Sequence, residues 1–278
     1  MIANLFCIML CMNMMVTMSC SSLETEREFI TMNNQKTNHG TLQATDKKGN
    51  PIIIEWKKTT FFSPEFVESM KNLWPVARNA YLPVEMDFLK AFPEVVGTEE
   101  YFKPFEVLFE NGIEQVDWSK AKETMEALLK THFVFDTSSF DPEILSQFEK
   151  DICYIVTVKD QKTNALLGFI TFMQRATYKP HEIKVMSLGV DPRHQGCGLG
   201  RILMSSIFKI DPTIMRIFLC TRVTNQTALA AYHAWGFMLD EHPILDHAFN
   251  LNHWIFLEYK ANEQHILQDT AKELAANN

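Results

Sequence analysis

A glycine-rich stretch between a predicted strand and a predicted helix constrains this chain more than any other part of its sequence. The stretch is LGVDPRHQGCGLGR, residues 188–201. Glycines allow successive backbone N–H groups to turn toward one point, and the positive end of the following helix dipole adds to that field. The stretch therefore predicts a diphosphate-binding loop, which needs no basic side chains.

Two common phosphate-binding loops fit this stretch poorly. A P-loop ends in Gly-Lys-Ser or Gly-Lys-Thr, whereas here Gly200 is followed by Arg201 and Ile202. A dinucleotide-binding fingerprint needs its third glycine at position 201 and a place nearer the start of its domain. The sequence therefore disfavours both of these classes.

A third class of loop fits well. The pattern Gln195-x-x-Gly198-x-Gly200, after a Val-Asp-Pro strand end, resembles the acyl-CoA signature of the GNAT superfamily of N-acetyltransferases. The likeness continues downstream in the order and spacing of that family, with Leu219, Arg222, Asn225, Ala228, Tyr232, Gly236 and Phe237. These motifs span about 183–237, and the flanking strands extend the resemblance to roughly 52–260.

The order of strand and helix patterns predicts an α+β fold with an α/β-type mixed sheet. Strands are predicted at 52–56, 152–158, 166–174, 183–190, 215–223 and 254–259, and helices at 64–74, 118–131, from Asp141 onward, 201–208 and 226–235. The resemblance implies a GNAT-like central twisted sheet, flanked by helices, with splayed strands at the cofactor site. The helical segment between the first and second strands is enlarged relative to the family.

The chain is predicted to be one domain behind an attached front end. Residues 1–22 are apolar and read as a signal or lipoprotein peptide, with a disordered front end as the alternative. The remaining parts are a polar linker (23–50), the domain (51–262, with a helical acceptor-side segment 61–150 and an acetyl-CoA core 151–260) and a polar tail (263–278).

Charge and cysteine content exclude several functional classes. The chain has 26 basic and 34 acidic residues and a net charge of −8, which gives a nucleic-acid partner little support. No pair of its six cysteines has C-x-x-C spacing, and no His/Cys cluster has the spacing of zinc ligands. The sequence therefore predicts reduced thiols and no metal site.

The resemblance implies that acetyl-CoA is a substrate held by the glycine loop and by the backbone of the strand before it. The implied cofactor-binding residues are Leu188, Gly189, Val190, Gln195, Gly196, Cys197, Gly198, Leu199, Gly200, Arg201 and Asn225. Cys197 and Leu199 are better read as spacers than as chemical groups. Asn225 fits a helix N-cap and a cofactor contact equally well.

Tyr232 is the predicted general acid for the departing thiolate. It lies seven residues after Asn225, which is two helical turns and nearly the same helix face. A phenol, with a reference pKa of about 10, can donate a proton to a thiolate at neutral pH. The alternative for Tyr232 is a buried ring without a chemical role.

The general base is the weakest part of the match. Lys184, Met186 and Cys220 occupy the positions where relatives carry a glutamate or histidine. Glu182 shares the strand face by period-two counting and is the tentative base. His181, Glu258 and a water relay remain as alternatives.

The implied function is transfer of an acetyl group from acetyl-CoA to a primary amine of a small molecule or protein, by direct attack on the thioester. The alternative is a catalytically degenerate CoA-binding module, regulatory or membrane-tethered, which the missing acidic residues favour.

Acetyl-CoA and unpaired thiols predict a cytoplasmic location, whereas residues 1–20 predict export or anchoring. Membrane contact is expected only if that segment is retained or lipidated. The acceptor and the oligomeric state stay open.

Overall fold

The structure is a computed structural model that describes residues 38–98, 100–110, 112, 115–132, 150–175, 178–243, 252–261, 267–269 and 272. The apolar segment 1–22 and the helix predicted from Asp141 lie outside these residues, as does most of the predicted tail. Within the described ranges, no helix is both long enough and apolar enough to cross a bilayer.

The described strands form one mixed sheet. The strands are β1 (His39–Thr45), β2 (Pro51–Thr60), β3 (Ile152–Asp160), β4 (Leu166–Gln174), β5 (Glu182–Val190), β6 (Arg216–Arg222), β7 (Met238–Leu239) and β8 (Trp254–Lys260). Their order in the sheet is β1-β2-β3-β4-β5-β6-β8-β7. Neighbouring strands are antiparallel except for β5 and β6, which run parallel. The predicted mixed sheet is confirmed.

Strand β1 lies inside the segment predicted to be a polar linker. It pairs with β2 along its whole length, from His39 opposite Lys57 to Thr45 opposite Pro51. Its sequence, HGTLQAT, buries only Ala44, so the strand depends on hydrogen bonds to β2 and carries little of the apolar pattern that predicts a strand. The linker prediction is therefore wrong for residues 39–45, and the strand predicted at 52–56 is the second one.

Helix α1 (Pro64–Ala91) begins where the sequence predicts but ends much later. The Ser63 hydroxyl accepts the Phe66 N–H at 3.2 Å, and Pro64 occupies the first turn. The helix continues through Pro75, which was predicted to end it, and through Pro83. Each proline removes one helical hydrogen bond, and we attribute the tolerance to the long buried face of α1 (Phe66, Met70, Leu73, Ala77, Leu82, Phe88, Leu89).

Helices cover both faces of the sheet over two separate cores. On the α1 face lie α2 (Val95–Thr98), a 3-10 segment (Glu100–Phe109) and α3 (Trp118–His132). Helix α4 (Leu199–Ile210) packs on the other face, and α5 (Gln226–Ala234) follows β6. Residues of β3 alternate between the two cores, with Cys153 and Ile155 in one and Tyr154 and Val156 in the other.

Strands β5 and β6 diverge soon after they meet. Their pairing covers only Glu182–Lys184 against Arg216–Phe218, although β5 continues to Val190 and β6 to Arg222. On the other side of β5, Thr171 lies opposite Ser187 and Phe172 opposite Val185, which leaves Met186 as a β-bulge. The predicted splay of strands is confirmed, and it leaves one edge of β5 open.

Candidate active site

A cavity of about 790 Å³ opens where β5 and β6 diverge. Its wall combines the glycine loop with β5, β6, α5 and one face of α1. The volume lies within the range of roughly 300–1,000 Å³ that is usual for small-molecule sites. The cavity is therefore the candidate active site.

The Asp-Pro turn fixes the start of the glycine loop. The Asp191 carboxylate accepts the backbone N–H of Arg193 at 2.9 Å and the guanidinium Nη2 of Arg193 at 2.7 Å. Hydrogen bonding from the Arg193 side chain holds the pKa of Asp191 below its usual value. Beyond the turn, Gly196 and Gly198 have φ angles of 76° and 82°, which other residues adopt only with strain.

The backbone N–H groups of residues 196–200 give the loop its binding capacity. Within the described part of the chain, none of them donates to a protein acceptor. Helix α4 also begins after Gly198 without any side-chain N-cap. Such donors are satisfied by solvent or by a ligand, and a helix N-terminus favours an anion. The loop therefore fits a diphosphate.

A lysine from the β1–β2 hairpin lies across this loop. The Lys47 N–H donates to the Cys197 carbonyl at 3.0 Å. The Lys47 stem passes so close to Gly198 that a Cβ there would lie 2.8 Å from Lys47 Cγ. Lys47 also lines the cavity. No sequence pattern indicates that Lys47 contacts the loop, because the residue lies in a segment that reads as a linker.

Tyr232 lies in the cavity wall on α5 and is 8% exposed. Its ring packs edge-on against Trp235 and beside Phe237, with centroid distances of 5.6 Å in both cases. Burial raises the pKa of the Tyr232 phenol above its ordinary value of 10, and the neighbouring Tyr81 and Cys220 raise it further. The phenol therefore keeps its proton at neutral pH.

Asn225 caps helix α5. Its Oδ1 accepts the Ala228 N–H at 3.2 Å, and its Nδ2 donates to Thr221 Oγ1 at 3.0 Å. Asn225 also lines the cavity, next to the start of the helix. The cap is thus established by the structure, whereas the cofactor contact stays a prediction.

Two of the predicted cofactor residues lie outside the cavity lining, namely Gly189 and Cys197. A Cβ on Gly189 would lie 2.7 Å from the Phe169 ring, so this glycine serves sheet packing. Cys197 is buried in the core beneath α4. The others line the cavity: Leu188, Val190, Gln195, Gly196, Gly198, Leu199, Gly200, Arg201 and Asn225.

The tentative base, Glu182, does not line the cavity. It faces Arg216 where β5 and β6 are still paired, with Oε1 at 3.4 Å from Arg216 Nη1. Glu258 and Asp240 bind the same guanidinium at 2.8 and 2.9 Å. This placement corrects the assignment of Glu182, and it sets the alternative Glu258 in the same ion cluster outside the cavity lining.

A buried ion pair lines another part of the cavity, and its carboxylate is not among the predicted site residues. Glu85 of α1 and Arg222 of β6 are 8% and 4% exposed, and Glu85 Oε2 lies 3.5 Å from Arg222 Nη2. The Arg222 guanidinium carbon lies 4.0 Å from the Phe88 ring centroid and 4.1 Å from that of Trp254. The sequence feature that could have indicated Glu85 is its four-residue spacing from Tyr81, which places both side chains on one helix face.

The glycine loop, two diverging strands and a buried phenol meet at one cavity, which is the arrangement that the resemblance implies. In agreement, residues 121–237 match the family model described as the acetyltransferase (GNAT) family. The matched range includes the residues that carry the sequence motifs, at about 183–237.

The similarity to individual proteins is low or covers only part of the chain. The chain is 33% identical over 72 residues to the N-alpha-acetyltransferase RimI of Mycobacterium tuberculosis, which is 26% of this chain and 45% of that protein. It is 28% identical over 100 residues to an uncharacterised protein of Mycobacterium leprae, which is 36% of this chain and 26% of the other. The chain thus spans less than half the length of either curated relative.

Among solved structures, the PaiA N-acetyltransferase of Thermoplasma acidophilum in complex with coenzyme A matches 74% of this chain and 98% of its own, at 18% identity and a TM-score of 0.38.

Proposed function

We propose that this protein is an acetyl-CoA-dependent N-acetyltransferase that modifies a primary amine of a small molecule or a protein. The observation that carries the proposal is that four loop residues with free amides, the open edge of β5 and Tyr232 all line one cavity; the loop residues are Gly196, Gly198, Leu199 and Gly200. The loop would hold the diphosphate of the coenzyme, and the edge of β5 near Leu188 would hold its pantetheine arm as an added strand. The expected location is the cytoplasm, where acetyl-CoA is available.

The reaction requires an amine nitrogen to attack the thioester carbonyl carbon. The C–N bond forms, the C–S bond breaks, and the coenzyme leaves as a thiol after it takes up a proton. Backbone N–H groups near the bulge at Met186 would stabilise the charge that develops on the carbonyl oxygen. Tyr232 would supply the proton to sulfur, since its burial keeps the phenol protonated.

The test is a binding measurement followed by a turnover measurement. Calorimetric titration with acetyl-CoA first establishes that the purified chain binds it. A free-thiol assay then follows CoA release with a panel of polyamines, amino sugars and peptides that have a free N-terminal amine. The likeness to an N-alpha-acetyltransferase supports including the peptides. Amine-dependent thiol release is the expected result, and an acetylated product must appear by mass spectrometry.

A second candidate is a CoA-binding module without catalysis. It is favoured by the absence of carboxylates among the β5 and β6 residues that line the cavity in the described structure. This candidate predicts acetyl-CoA binding with no thiol release above the spontaneous rate for any amine in the panel. The turnover assay therefore separates the two functions.

Lys47→Ala is expected to weaken CoA binding about tenfold. Removing one charged hydrogen bond to a phosphate loses roughly 1.5 kcal/mol, which corresponds to that factor. The affinity difference is expected to shrink as the salt concentration rises, because Lys47 is exposed at the cavity rim. Calorimetric titrations at two salt concentrations measure it.

Lys48→Ala is the matched control for this variant. Lys48 is the next residue, is also exposed, and does not line the cavity. The Lys48→Ala variant removes the same charge from the hairpin. Its dissociation constant for CoA is expected to stay within about twofold of the wild-type value, because screened surface charges usually contribute little. Equal losses in the two variants would mean that only the net charge of the hairpin matters.

Asn225→Ala is expected to lower the melting temperature by a few degrees, because losing an N-cap costs about 1 kcal/mol. Asn225→Asp keeps an oxygen acceptor for the Ala228 N–H and is expected to melt close to wild type. Differential scanning fluorimetry compares the two variants. If both melt like wild type, the cap contributes nothing measurable to stability.

A further inference from the structure

Glu85 lies one helical turn from Tyr81, which lines the same cavity as the proposed acid. Tyr81 of α1 lies close enough to Tyr232 to raise the pKa of its phenol. Residues four apart on a helix have Cβ atoms about 5–6 Å apart on one face. Tyr81 and Glu85 both line the cavity, so that face of α1 brings a carboxylate near the reacting end of the site.

Arg222 and two aromatic rings fix the position of this carboxylate. Burying a carboxylate is unfavourable unless another charge compensates it, and Arg222 supplies that charge at 3.5 Å. The guanidinium is itself enclosed by the rings of Phe88 and Trp254. Glu85 is therefore held at the cavity wall and does not swing freely into solvent.

The other carboxylates near the site are less suited to proton transfer from a bound amine. Among the described residues that line the cavity, the carboxylates are Glu85 and Asp87. Asp87 has a 65% exposed side chain and pairs with Lys90 at 3.4 Å. Glu182 and Glu258 belong to the Arg216 cluster outside the lining. Glu85 is therefore the buried acidic group that the cavity offers.

We propose that Glu85 is the general base of the transfer reaction, an inference that rests on the proposed function. An acceptor that arrives as an ammonium ion gives one proton to the Glu85 carboxylate, which passes it to water, and the freed lone pair then forms the bond to the thioester carbon. The C–S bond breaks, the nitrogen loses its second proton to water, and the thiolate takes its proton from Tyr232, whose phenolate recovers one from water. The net products of the ammonium ion and acetyl-CoA are the amide, CoA and one proton.

This role also defines the acceptor class. A carboxylate at the wall favours an amine that arrives as an ammonium ion, and the nearby Tyr81 ring favours the same charge. Aliphatic primary amines, including peptide N-termini, satisfy this condition. Weakly basic aromatic amines do not.

Glu85→Gln tests the proposal. With the amine that the wild-type protein acetylates fastest, the variant is expected to lose about 100-fold in kcat near neutral pH. Its acetyl-CoA dissociation constant, measured by calorimetry, is expected to stay within about twofold of wild type, because Glu85 is not proposed to touch the coenzyme. Above the pKa of the amine, the loss in kcat should shrink, since the acceptor then arrives already deprotonated. Glu68→Gln, at an exposed position on the same helix, is the control and should match wild type.

Four outcomes overturn the proposal. A Glu85→Gln variant with wild-type kcat, or one whose kcat loss is the same at every pH, excludes a base role for this carboxylate. A wild-type protein that binds acetyl-CoA but acetylates no amine overturns the proposed function, and this role with it. If Glu85→Gln does not fold, Glu85→Asp keeps a charge for Arg222 and should lower kcat at least tenfold through misplacement of the base. An unchanged kcat in that variant also overturns the proposal.

Discussion

Tyr232→Phe is expected to lower kcat about 100- to 1,000-fold, which is the usual effect of losing a positioned general acid. The acetyl-CoA dissociation constant should change by less than about threefold. The phenylalanine ring retains the packing against Trp235 and Phe237, so only the hydroxyl is removed. Steady-state thiol release and calorimetric titration measure the two quantities on the same preparation.

Tyr154→Phe is the matched control for this experiment. Tyr154 is also a buried tyrosine, 5% exposed, but it stacks on Phe172 and does not line the cavity. Burial raises its pKa to about 12, so both phenols are neutral in the assay. The control should keep wild-type kcat. Equal losses of activity and coenzyme affinity in Tyr232→Phe would show instead that its hydroxyl serves binding or packing.

The pH dependence of this effect follows from the raised pKa of Tyr232. A raised pKa means that the phenol loses its proton only at a pH above its ordinary value of 10. The Tyr232→Phe loss should therefore be nearly constant from about pH 6 to pH 9, because the acid stays protonated throughout. This contrasts with Glu85→Gln, whose effect should shrink as the pH rises. The two variants thus separate the acid from the base.

Gly198→Ala is expected to weaken acetyl-CoA binding by about 10- to 100-fold, because lost hydrogen bonds to a charged group contribute about 1.5–3 kcal/mol each. An alanine Cβ would lie 2.8 Å from Lys47 Cγ, at a φ of 82° that favours glycine. The Lys47 side chain or the loop must therefore shift, and strain at the positive φ is expected to move the amides at the start of α4. Calorimetric titration measures the loss.

Gly112→Ala controls for backbone strain alone. Gly112 also has a positive φ, 87°, but no atom would lie within 4 Å of an added Cβ and the residue does not line the cavity. Both variants should lose similar stability, roughly 1–2 kcal/mol, from the left-handed conformation. Only Gly198→Ala should lose coenzyme affinity. A Gly198→Ala protein that binds acetyl-CoA like wild type would remove the loop from the site.

The fold was predictable where apolar patterning is local. The β3–β4 hairpin and the strand before the loop carry β-branched runs, and each forms as predicted. Strand β1 was missed because its stabilising partner is β2 and its own sequence is polar. Helix α1 was predicted too short because a proline normally ends a helix, and only the packed structure reveals the burial that sustains it.

The site was predictable where its residues are contiguous in the chain. The glycine loop, the N-cap Asn225 and Tyr232 fall within neighbouring motifs, and Asn225, Tyr232 and the loop residues other than Cys197 line one cavity. Lys47 and Glu85 come from distant segments that only tertiary folding brings to the loop and to β6. Glu182 was misassigned because period-two counting ignores where strands part, and the cavity opens only beyond Lys184.

A structure of the complex with acetyl-CoA tests the central claim most directly. The account predicts that the diphosphate oxygens accept hydrogen bonds from backbone N–H groups within residues 196–200, and that the thioester sulfur lies within hydrogen-bonding reach of the Tyr232 hydroxyl. A diphosphate bound away from this loop, or a thioester on the far side of the cavity from Tyr232, would contradict it.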